Sequence, residues 1–447
     1  MKPETKKILI ISYYWPPAGG PGVQRWLKFV KYLPDFGWEP TVFIPENPSY
    51  PIVDETLQKG VPKNLKIIKT KIWEPYQFAE KFGKDNKKFK AGQFDVGENQ
   101  SWKSKLSIFV RGNFFIPDAR IFWVKPSVEF LEKYLKANHY DVLVTTGPPH
   151  SLHLIGLNLK KKLPNLKWIA DFRDPWTEIS YYKHLKLTKF ADKKHRNFEE
   201  QVFRNADITL ATSYTDAENF RKKGANAFCV TNGFDVSDSV IELERDREKS
   251  PSHHHSNSPI HKFTLSYIGV LEQLRNPEIL WETLDELIQE NEDFRNDFEL
   301  KFVGRLDDKI LQKIENSSLK NHLTNLGYQT HKVALNHMKN SSVLLMTNFP
   351  QDSSKGIIPG KIFEYLATGK TILSFGPKDA DVEKILNETK AGKHFEYDEK
   401  ESLKKFILET YHNWKSGNLN QNAQNIEQFS RENLTKKLVD LMNENLF

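Results

Sequence analysis

Lys361 and Glu364 put an ammonium and a carboxylate one turn apart on one face of a short apolar helix. They lie in the segment Gly356–Phe375, GIIPGKIFEYLATGKTILSF. Its loop carries Pro359 and Gly360, Gly369 ends the helix, and Thr371–Phe375 reads as a strand. Just upstream, Val343–Met346 reads as a buried strand. The loop therefore opens at the carboxyl end of a strand, where open α/β sheets bind ligands. Free backbone amides at a helix start suit a phosphate, and a carboxylate inside the helix suits ribose hydroxyls. The bland alternative is a solvated helical pair, worth roughly 0.3 kcal/mol.

Five other segments set chemistry-bearing residues at strand ends. Gly19, Gly20 and Gly22, with Pro21, lie between the first strand and the first helix. Glycines there let the backbone approach a ligand, and the helix start favours anions; a plain tight turn is the alternative. The spacing is not G-x-G-x-x-G, and no acidic residue is placed for an NAD ribose. Gln24 and Arg25, in the first helical turn, are placed to face a cleft. The stretch TGPPHS ends a buried strand and brings His150 to a helix start, with His153 one turn later as a surface or packing residue. In DFRDPW, Asp171 and Asp174 flank Arg173, to hold the guanidinium or to accept sugar hydroxyls. TNGFD carries Asn232 and Gly233, a strong turn signal. In IGVLEQLRNP, Arg275 precedes a helical pattern, where a guanidinium can neutralise a diphosphate through two oxygens at once.

These residues need a scaffold that presents strand ends. The first half alternates strands and helices: strands at Lys7–Tyr13, Glu39–Ile44, Asp141–Thr145, Lys167–Ala170, Ile208–Ala211 and Ala227–Val230, and a first helix over Val23–Phe36. A second series has strands at Phe263–Ile268, Phe298–Val303, Leu323–Leu326, Val343–Met346 and Thr371–Phe375. Repeated βα units imply parallel, doubly wound sheets with helices on both faces. The expected division is a domain over 1–236 with an insertion at 74–126, a polar linker or surface loop over 237–262, a second α/β domain over 263–427, and a terminal helix over 428–447.

The chain has 447 residues, enough for two or three domains, and its 38% hydrophobic and 28% charged content is globular. No apolar run is long enough to span a bilayer. The one cysteine, Cys229, reads as an apolar filler in a strand and rules out an intrachain disulfide; with no signal-peptide pattern this points to the cytosol. A net charge of +7 favours an anionic partner, nucleotide phosphates or a membrane surface. Nucleic acid is not expected, because the basic residues are spread out and no binding motif is present.

Taken together, the segments at 8–25, 141–176, 228–235 and 356–375 resemble the GT-B glycosyltransferases, family 4 (glycosyl transferase group 1) in particular. The resemblance implies two Rossmann-like domains facing across a cleft, with the last helix crossing back to the first domain. It implies transfer of a sugar from a nucleotide-diphosphate donor to a hydroxyl of a saccharide or lipid-linked acceptor, with retention, and no cofactor or metal. It makes His150, Arg275 and Asp171 catalytic candidates. Glu364, Lys361, Arg275, Asn232, Gly233 and the backbone at Ile357, Ile358 and Gly360 become donor-binding candidates. Gly19, Gly20, Gly22, Arg173 and Asp174 fall on the acceptor side. Two departures stand out: Gly356 occupies the place of the family's first glutamate, and Val270 that of its usual arginine. Surface polysaccharide, lipopolysaccharide or glycolipid synthesis at the inner face of a membrane fits the basic surface. Alternatives are a GT-B sugar-nucleotide epimerase, for which Asp171 and Asp174 are the carboxylate pair available, and a catalytically silent binding protein.

Three further features read as bland. His253, His254 and His255 sit in the polar linker, without preformed metal geometry. Asp307 and Asp308 read as a helix start. Trp102–Phe115 is an amphipathic helix that either packs on its own domain or docks on an anionic membrane.

Overall fold

The computed structural model describes residues 5–75, 102–179, 182–235, 262–419 and 423–447. Residues 76–101 of the expected insertion, most of the expected linker and His253–His255 lie outside the described residues. The chain divides into two compact units, Met1–Thr231 with Arg431–Phe447, and Asn232–Ser430.

Unit 1 contains β1 (Lys6–Ile11), α1 (Pro21–Tyr32), β2 (Trp38–Pro45), β3 (Lys66–Thr70), α2 (Trp102–Phe114), α3 (Ile121–Ala137), β4 (Val142–Gly147), α4 (Ser151–Lys162), β5 (Lys167–Phe172), α5 (Lys189–Asn205), β6 (Ile208–Ala211), α6 (Tyr214–Lys222) and β7 (Ala227–Cys229). Its sheet has the order β3-β2-β1-β4-β5-β6-β7 with every pair parallel. Side chains alternate across a strand, and β1 shows the consequence. Leu9 and Ile11 join Trp123 of α3, Leu152 and Ile155 of α4, and Trp168 of β5 in one core layer. Ile8 and Ile10 join Trp26 and Val30 of α1 in the other. Both faces of the strand are covered, which is why its sequence is a continuous apolar run rather than an alternating one.

Unit 2 contains β8 (Phe263–Ile268), α7 (Glu278–Glu290), α8 (Glu292–Asp297), β9 (Phe298–Val303), α9 (Asp308–Glu315), β10 (Leu323–Asn325), α10 (His331–Lys339), β11 (Val343–Thr347), α11 (Lys361–Ala367), β12 (Thr371–Phe375), α12 (Asp381–Thr389), β13 (Gly392–Phe395) and α13 (Lys400–Lys415). Its parallel sheet runs β10-β9-β8-β11-β12-β13. The final helix, α14 (Arg431–Leu446), returns to unit 1, where Leu434, Leu438 and Met442 pack with Trp26 and Val30.

The structure differs from the sequence reading in several elements. The first helix begins at Pro21, and its last stretch, Leu33–Phe36, tightens into a 3-10 turn started by Pro34 and closed by Gly37 at φ 78°. Two strands had no sequence signal. β3, KIIKT, is an edge strand with half-buried side chains, and β13, GKHF, carries glycine, lysine and histidine in four residues. Asp307 caps α9 through its side chain, so the Asp307–Asp308 pair is a helix start. On α2 the inward positions are Ile108 and Gly112, while Leu106 and Phe109 stay exposed. Cys229 is half-buried in β7.

Candidate functional site

Both sheets grow outward in opposite directions from a central pair of strands, β1 and β4 in unit 1 and β8 and β11 in unit 2. At such a switch point the loops after neighbouring strands diverge and leave a crevice at the carboxyl edge. In unit 1 the glycine loop follows β1 and His150 follows β4; Arg173 and Asp174 follow the adjacent β5. In unit 2 Arg275 follows β8, and the Ile357–Gly360 loop with α11 follows β11.

In unit 2, Lys361 and Glu364 diverge rather than pair. Lys361 Nζ lies 3.9 Å from the centroid of the Tyr267 ring and donates to the Ile268 carbonyl at 3.4 Å. Partly open at its own surface, Lys361 is otherwise enclosed by protein. Desolvation, reinforced by the charge of Arg275 and opposed by Glu364, lowers its pKa to about 7. Glu364 instead meets His331 at the start of α10, Nε2 to Oε1 at 3.0 Å. Arg275 closes a 3-10 turn, donating through Nη2 to the Val270 carbonyl at 3.0 Å and to Glu272 at 3.3 Å. Its guanidinium lies 5.4 Å from the Phe349 ring centroid, and its Nε is sealed from solvent with no hydrogen-bond partner. Two cations and a carboxylate thus share the unit 2 crevice. The solvated-pair reading of Lys361 and Glu364 does not hold.

The loop amides are only partly open. Ile357 N–H donates to Ser354 O at 2.9 Å, and Ile357 O accepts from the Asn348 side chain at 2.7 Å. That corrects Ile357 as an amide donor to a phosphate. Ile358 and Gly360 flank Pro359 in the same loop, and Gly360 sits at the N-cap of α11. Asn232 and Gly233 follow β7, at the start of unit 2; Asn232 Oδ1 is buried without a hydrogen-bond partner.

In unit 1 the DFRDPW segment works differently from the sequence expectation. Asp171 is fully buried and accepts from Arg25 Nη2 at 2.9 Å and Nε at 3.2 Å, from Trp26 Nε1 at 2.7 Å and from Thr146 Oγ1 at 2.8 Å. Arg25, also fully buried, adds a bond to the Thr231 carbonyl at 3.0 Å. Burial raises the Asp171 carboxyl, but the Arg25 charge and these hydrogen bonds outweigh it and hold the pKa below the usual range. With its oxygens so committed, Asp171 cannot receive substrate. It is corrected from catalytic candidate to a residue that ties α1 to β5, and Arg25 does not face a cleft. Arg173, expected to pair with these aspartates, instead donates through Nη2 to the Pro148 carbonyl. Asp174 is exposed; desolvation by its neighbours raises its carboxyl despite the opposing pull of Arg173.

His150 occupies the N-cap position of α4 and is 7% exposed. Its ring stacks on Trp176, centroids 5.0 Å apart and 5° from parallel, and neither ring nitrogen has a hydrogen-bond partner. Burial, followed by His153, Arg173 and His195, pushes its pKa well below the ordinary histidine value. His153 is fully buried beneath it and lowered to about 3, chiefly by desolvation. Trp168 Nε1 donates to Thr145 Oγ1 at 3.0 Å, and that hydroxyl lies 2.9 Å from His153 Nδ1. The indole can only donate, and the Thr145 oxygen, with one hydrogen and two lone pairs, can accept from it and still either donate to or accept from His153 Nδ1. The Trp168–Thr145–His153 chain and Trp176 had no signature in the sequence beyond aromatic content.

Among the described residues no helix is long and apolar enough to cross a membrane, and no group of three or more His, Cys, Asp or Glu side chains is placed to hold a metal ion.

No protein-family model matches the sequence, and no curated protein does. Solved structures do match over the whole length. Sucrose-phosphate synthase from Thermosynechococcus elongatus is 13% identical with a TM-score of 0.56, covering 98% of each chain. HepE from Anabaena, solved in complex with UDP-glucose, is 13% identical with a TM-score of 0.55, covering 98% of this chain and 99% of that one. A glycosyltransferase from Rickettsia africae is 14% identical with a TM-score of 0.57, covering 99% of each. With two parallel doubly wound sheets and these neighbours along its full length, the chain has the two-domain GT-B glycosyltransferase fold.

Proposed function

We propose that the chain is a family 4-like, retaining glycosyltransferase that moves a sugar from a nucleotide-diphosphate donor to an acceptor hydroxyl. One observation carries the reading: Arg275 after β8 and Lys361 and Glu364 on α11 after β11 flank the switch point of unit 2, so two cations are available for a diphosphate and one carboxylate for a ribose. The neighbour solved with UDP-glucose is in keeping with a nucleotide-sugar donor.

In this reading the Arg275 guanidinium binds two oxygens of the leaving diphosphate. Lys361, protonated on binding, supplies the second charge. Glu364 accepts from the ribose hydroxyls. His150, held neutral against Trp176, is the residue assigned to the donor sugar. The acceptor hydroxyl attacks the face the diphosphate leaves, and the departing phosphate oxygen takes its proton, so no carboxylate base is required. Rate acceleration then comes from positioning and from charge stabilisation of the leaving group. The acceptor is a saccharide or lipid-linked saccharide of surface polysaccharide, lipopolysaccharide or glycolipid synthesis. Exposed Leu106, Phe109 and Phe114 on α2 support contact with the inner face of an anionic membrane. An epimerase would need two free carboxylates, and Asp171 is committed to Arg25, Trp26 and Thr146.

The test is a thermal-shift and calorimetric screen against UDP, GDP, ADP, CMP and their common sugars. Binding of one diphosphate, lost in Glu364→Ala and weakened in Arg275→Ala, is the expected result. Folded protein that binds none of them rejects the reading; binding with no turnover on native lipid acceptors favours the silent protein.

A further inference from the structure

The His150 ring has only ring contacts to fix its plane. Neither of its nitrogens has a hydrogen-bond partner. Trp176 is stacked on it, 5° from parallel, while Phe172 and His153 are tilted by 33° and 36° at 5.7 and 5.8 Å. The indole is the flat surface under the imidazole, so whatever orients Trp176 orients His150. That element is α5. His195 and Glu199 lie four residues apart on it and so share one face. Trp176 Nε1 donates to His195 Nδ1 at 3.0 Å. Glu199 takes the next residue, accepting from the Thr177 N–H at 3.0 Å and from Thr177 Oγ1 at 2.7 Å. One turn of α5 thus grips two consecutive residues of the segment after β5, and Lys223 braces Glu199 at 3.2 Å.

Both partners of His195 fix its tautomer. An indole only donates, so Nδ1 must be bare. Nε2 lies 3.4 Å from the Gly112 carbonyl of α2, which only accepts, so Nε2 carries the proton. Burial lowers the pKa against the pull of that carbonyl and of Asp118, Asp192 and Glu199, and the ring is neutral at pH 7. The carbonyl is held closely in place. A Cβ on Gly112 would lie 2.7 Å from Leu187 Cδ2 and 3.0 Å from the Leu185 carbonyl oxygen.

We infer that His195 is a positioning residue for His150, acting through the Trp176 indole with Nδ1 as acceptor and the proton on Nε2. This rests on the glycosyl-transfer reading above, in which His150 is assigned to the donor sugar. Any buried indole N–H requires an acceptor, and an acceptor that served packing alone would affect stability. Here the same bond also sets the plane of an imidazole that no hydrogen bond holds. If the indole turns, the polar atoms of His150 turn with it, and a shift of about 1 Å at a reacting centre can cost about 10²-fold in rate. His195 itself touches no reacting group, so its removal acts on turnover and not on nucleotide affinity.

The experiment uses the full chain with isotope-labelled histidine, followed by NMR. In the wild type His195 shows a bare Nδ1 and a protonated Nε2. His195→Leu removes the acceptor and moves the His150 ring signal. His195→Asn, whose Oδ1 stands near the place of Nδ1, leaves that signal nearer the wild type. Trp176→Phe keeps a ring under His150 without the N–H, and adding His195→Leu to it moves the signal no further. Release of nucleotide from UDP-glucose or GDP-glucose without acceptor falls about tenfold or more in His195→Leu, while UDP and GDP affinities stay within about threefold. His195→Asn recovers part of the rate, and Trp176→Phe reproduces the loss if His195→Leu does not fold. A His195 ring with its proton on Nδ1 overturns the proposal. So does a His195→Leu or Trp176→Phe variant with the His150 signal and rate of the wild type, or a rate loss that His195→Asn does not relieve. A chain that binds and hydrolyses neither nucleotide sugar, while the His150 signal still follows His195 and Trp176, leaves the positioning contact standing and rejects the glycosyl-transfer reading instead.

Discussion

Glu364 Oε1 lies 3.0 Å from His331 Nε2, a contact that joins the first turn of α11 to the first residue of α10. A carboxylate on a helix surface ordinarily samples several rotamers. Here one oxygen is held by a second element, so in the proposed donor site a ribose would meet an acceptor already oriented. Glu364→Ala is therefore expected to weaken nucleoside diphosphate binding by about 1.5–3 kcal/mol, the range for hydrogen bonds to a charged group. Inorganic diphosphate, which has no ribose, should bind the variant as it binds the wild type. Calorimetry with the two ligands checks this; equal losses for both would remove Glu364 from the ribose.

If Lys361 contacts the donor diphosphate as proposed, donor binding should depend on pH. In the free protein, desolvation holds its pKa at about 7. A bound diphosphate favours the charged form and raises that pKa. Below pH 7 the ammonium is already charged and affinity is greatest. Above it, binding takes up a proton and affinity falls, by at most about tenfold per pH unit. Calorimetry at pH 8 in buffers of different ionisation enthalpy should register uptake approaching one proton, absent in Lys361→Met. Stability has its own sign. The folded pKa lies below the unfolded value, so between the two the unfolded chain binds more protons and stability rises with pH. Lys361→Met should flatten that rise.

How much of this was legible beforehand varies with the distance over which the interaction acts. The loops at Gly19–Gly22, His150, Asp171–Asp174, Arg275 and Gly356–Glu364 announce themselves locally, because each follows an apolar strand and carries turn residues. The two sheets followed from the alternation of βα units, apart from β3 and β13, whose residues are too polar or too exposed to read as strands. What each side chain does in its loop was not local. Asp171 looked like a partner for Arg173 two residues away, and its actual partner, Arg25, is 146 residues distant in sequence. Spacing alone allowed Lys361 to pair with Glu364, as the bland alternative had it; it lies instead over Tyr267 of β8. Short-range spacing fixed where the loops are, while tertiary packing chose which charges pair.

The Arg25–Asp171 pair should behave as structure. Both side chains are fully buried, and removing one leaves the other uncompensated. Asp171→Asn is expected to cost about 3–5 kcal/mol of unfolding free energy, and Arg25→Met/Asp171→Leu less than the sum of the two single changes. The folded carboxyl is held below its unfolded value, so its contribution is present above the unfolded pKa and is lost as pH falls through the folded one. Denaturant titrations of wild type and Asp171→Asn at descending pH should converge in acid. A variant as stable as wild type that has lost all turnover would return Asp171 to the reacting groups.

His150 should act as a neutral group. Its ring is buried against Trp176, and desolvation holds its pKa well below 6.5, so it carries no charge across the neutral range. Transfer rates should then show no histidine titration between about pH 5.5 and 8. A neutral imidazole that orients the donor sugar acts on the reacting geometry more than on the nucleotide. His150→Ala is expected to lower kcat by about 10²-fold, the scale of losing one positioned polar contact to the reacting centre, while nucleoside diphosphate affinity stays within about threefold. His150→Gln keeps a donor and an acceptor near the ring positions and should recover part of the rate. Trp176→Leu removes the stacking surface but not the ring nitrogens. If orientation against Trp176 is what matters, that variant should lose turnover at unchanged nucleotide affinity, in parallel with His150→Ala. If both variants weaken nucleotide binding as much as they slow turnover, His150 belongs to the binding of the nucleotide and not to the placement of its sugar.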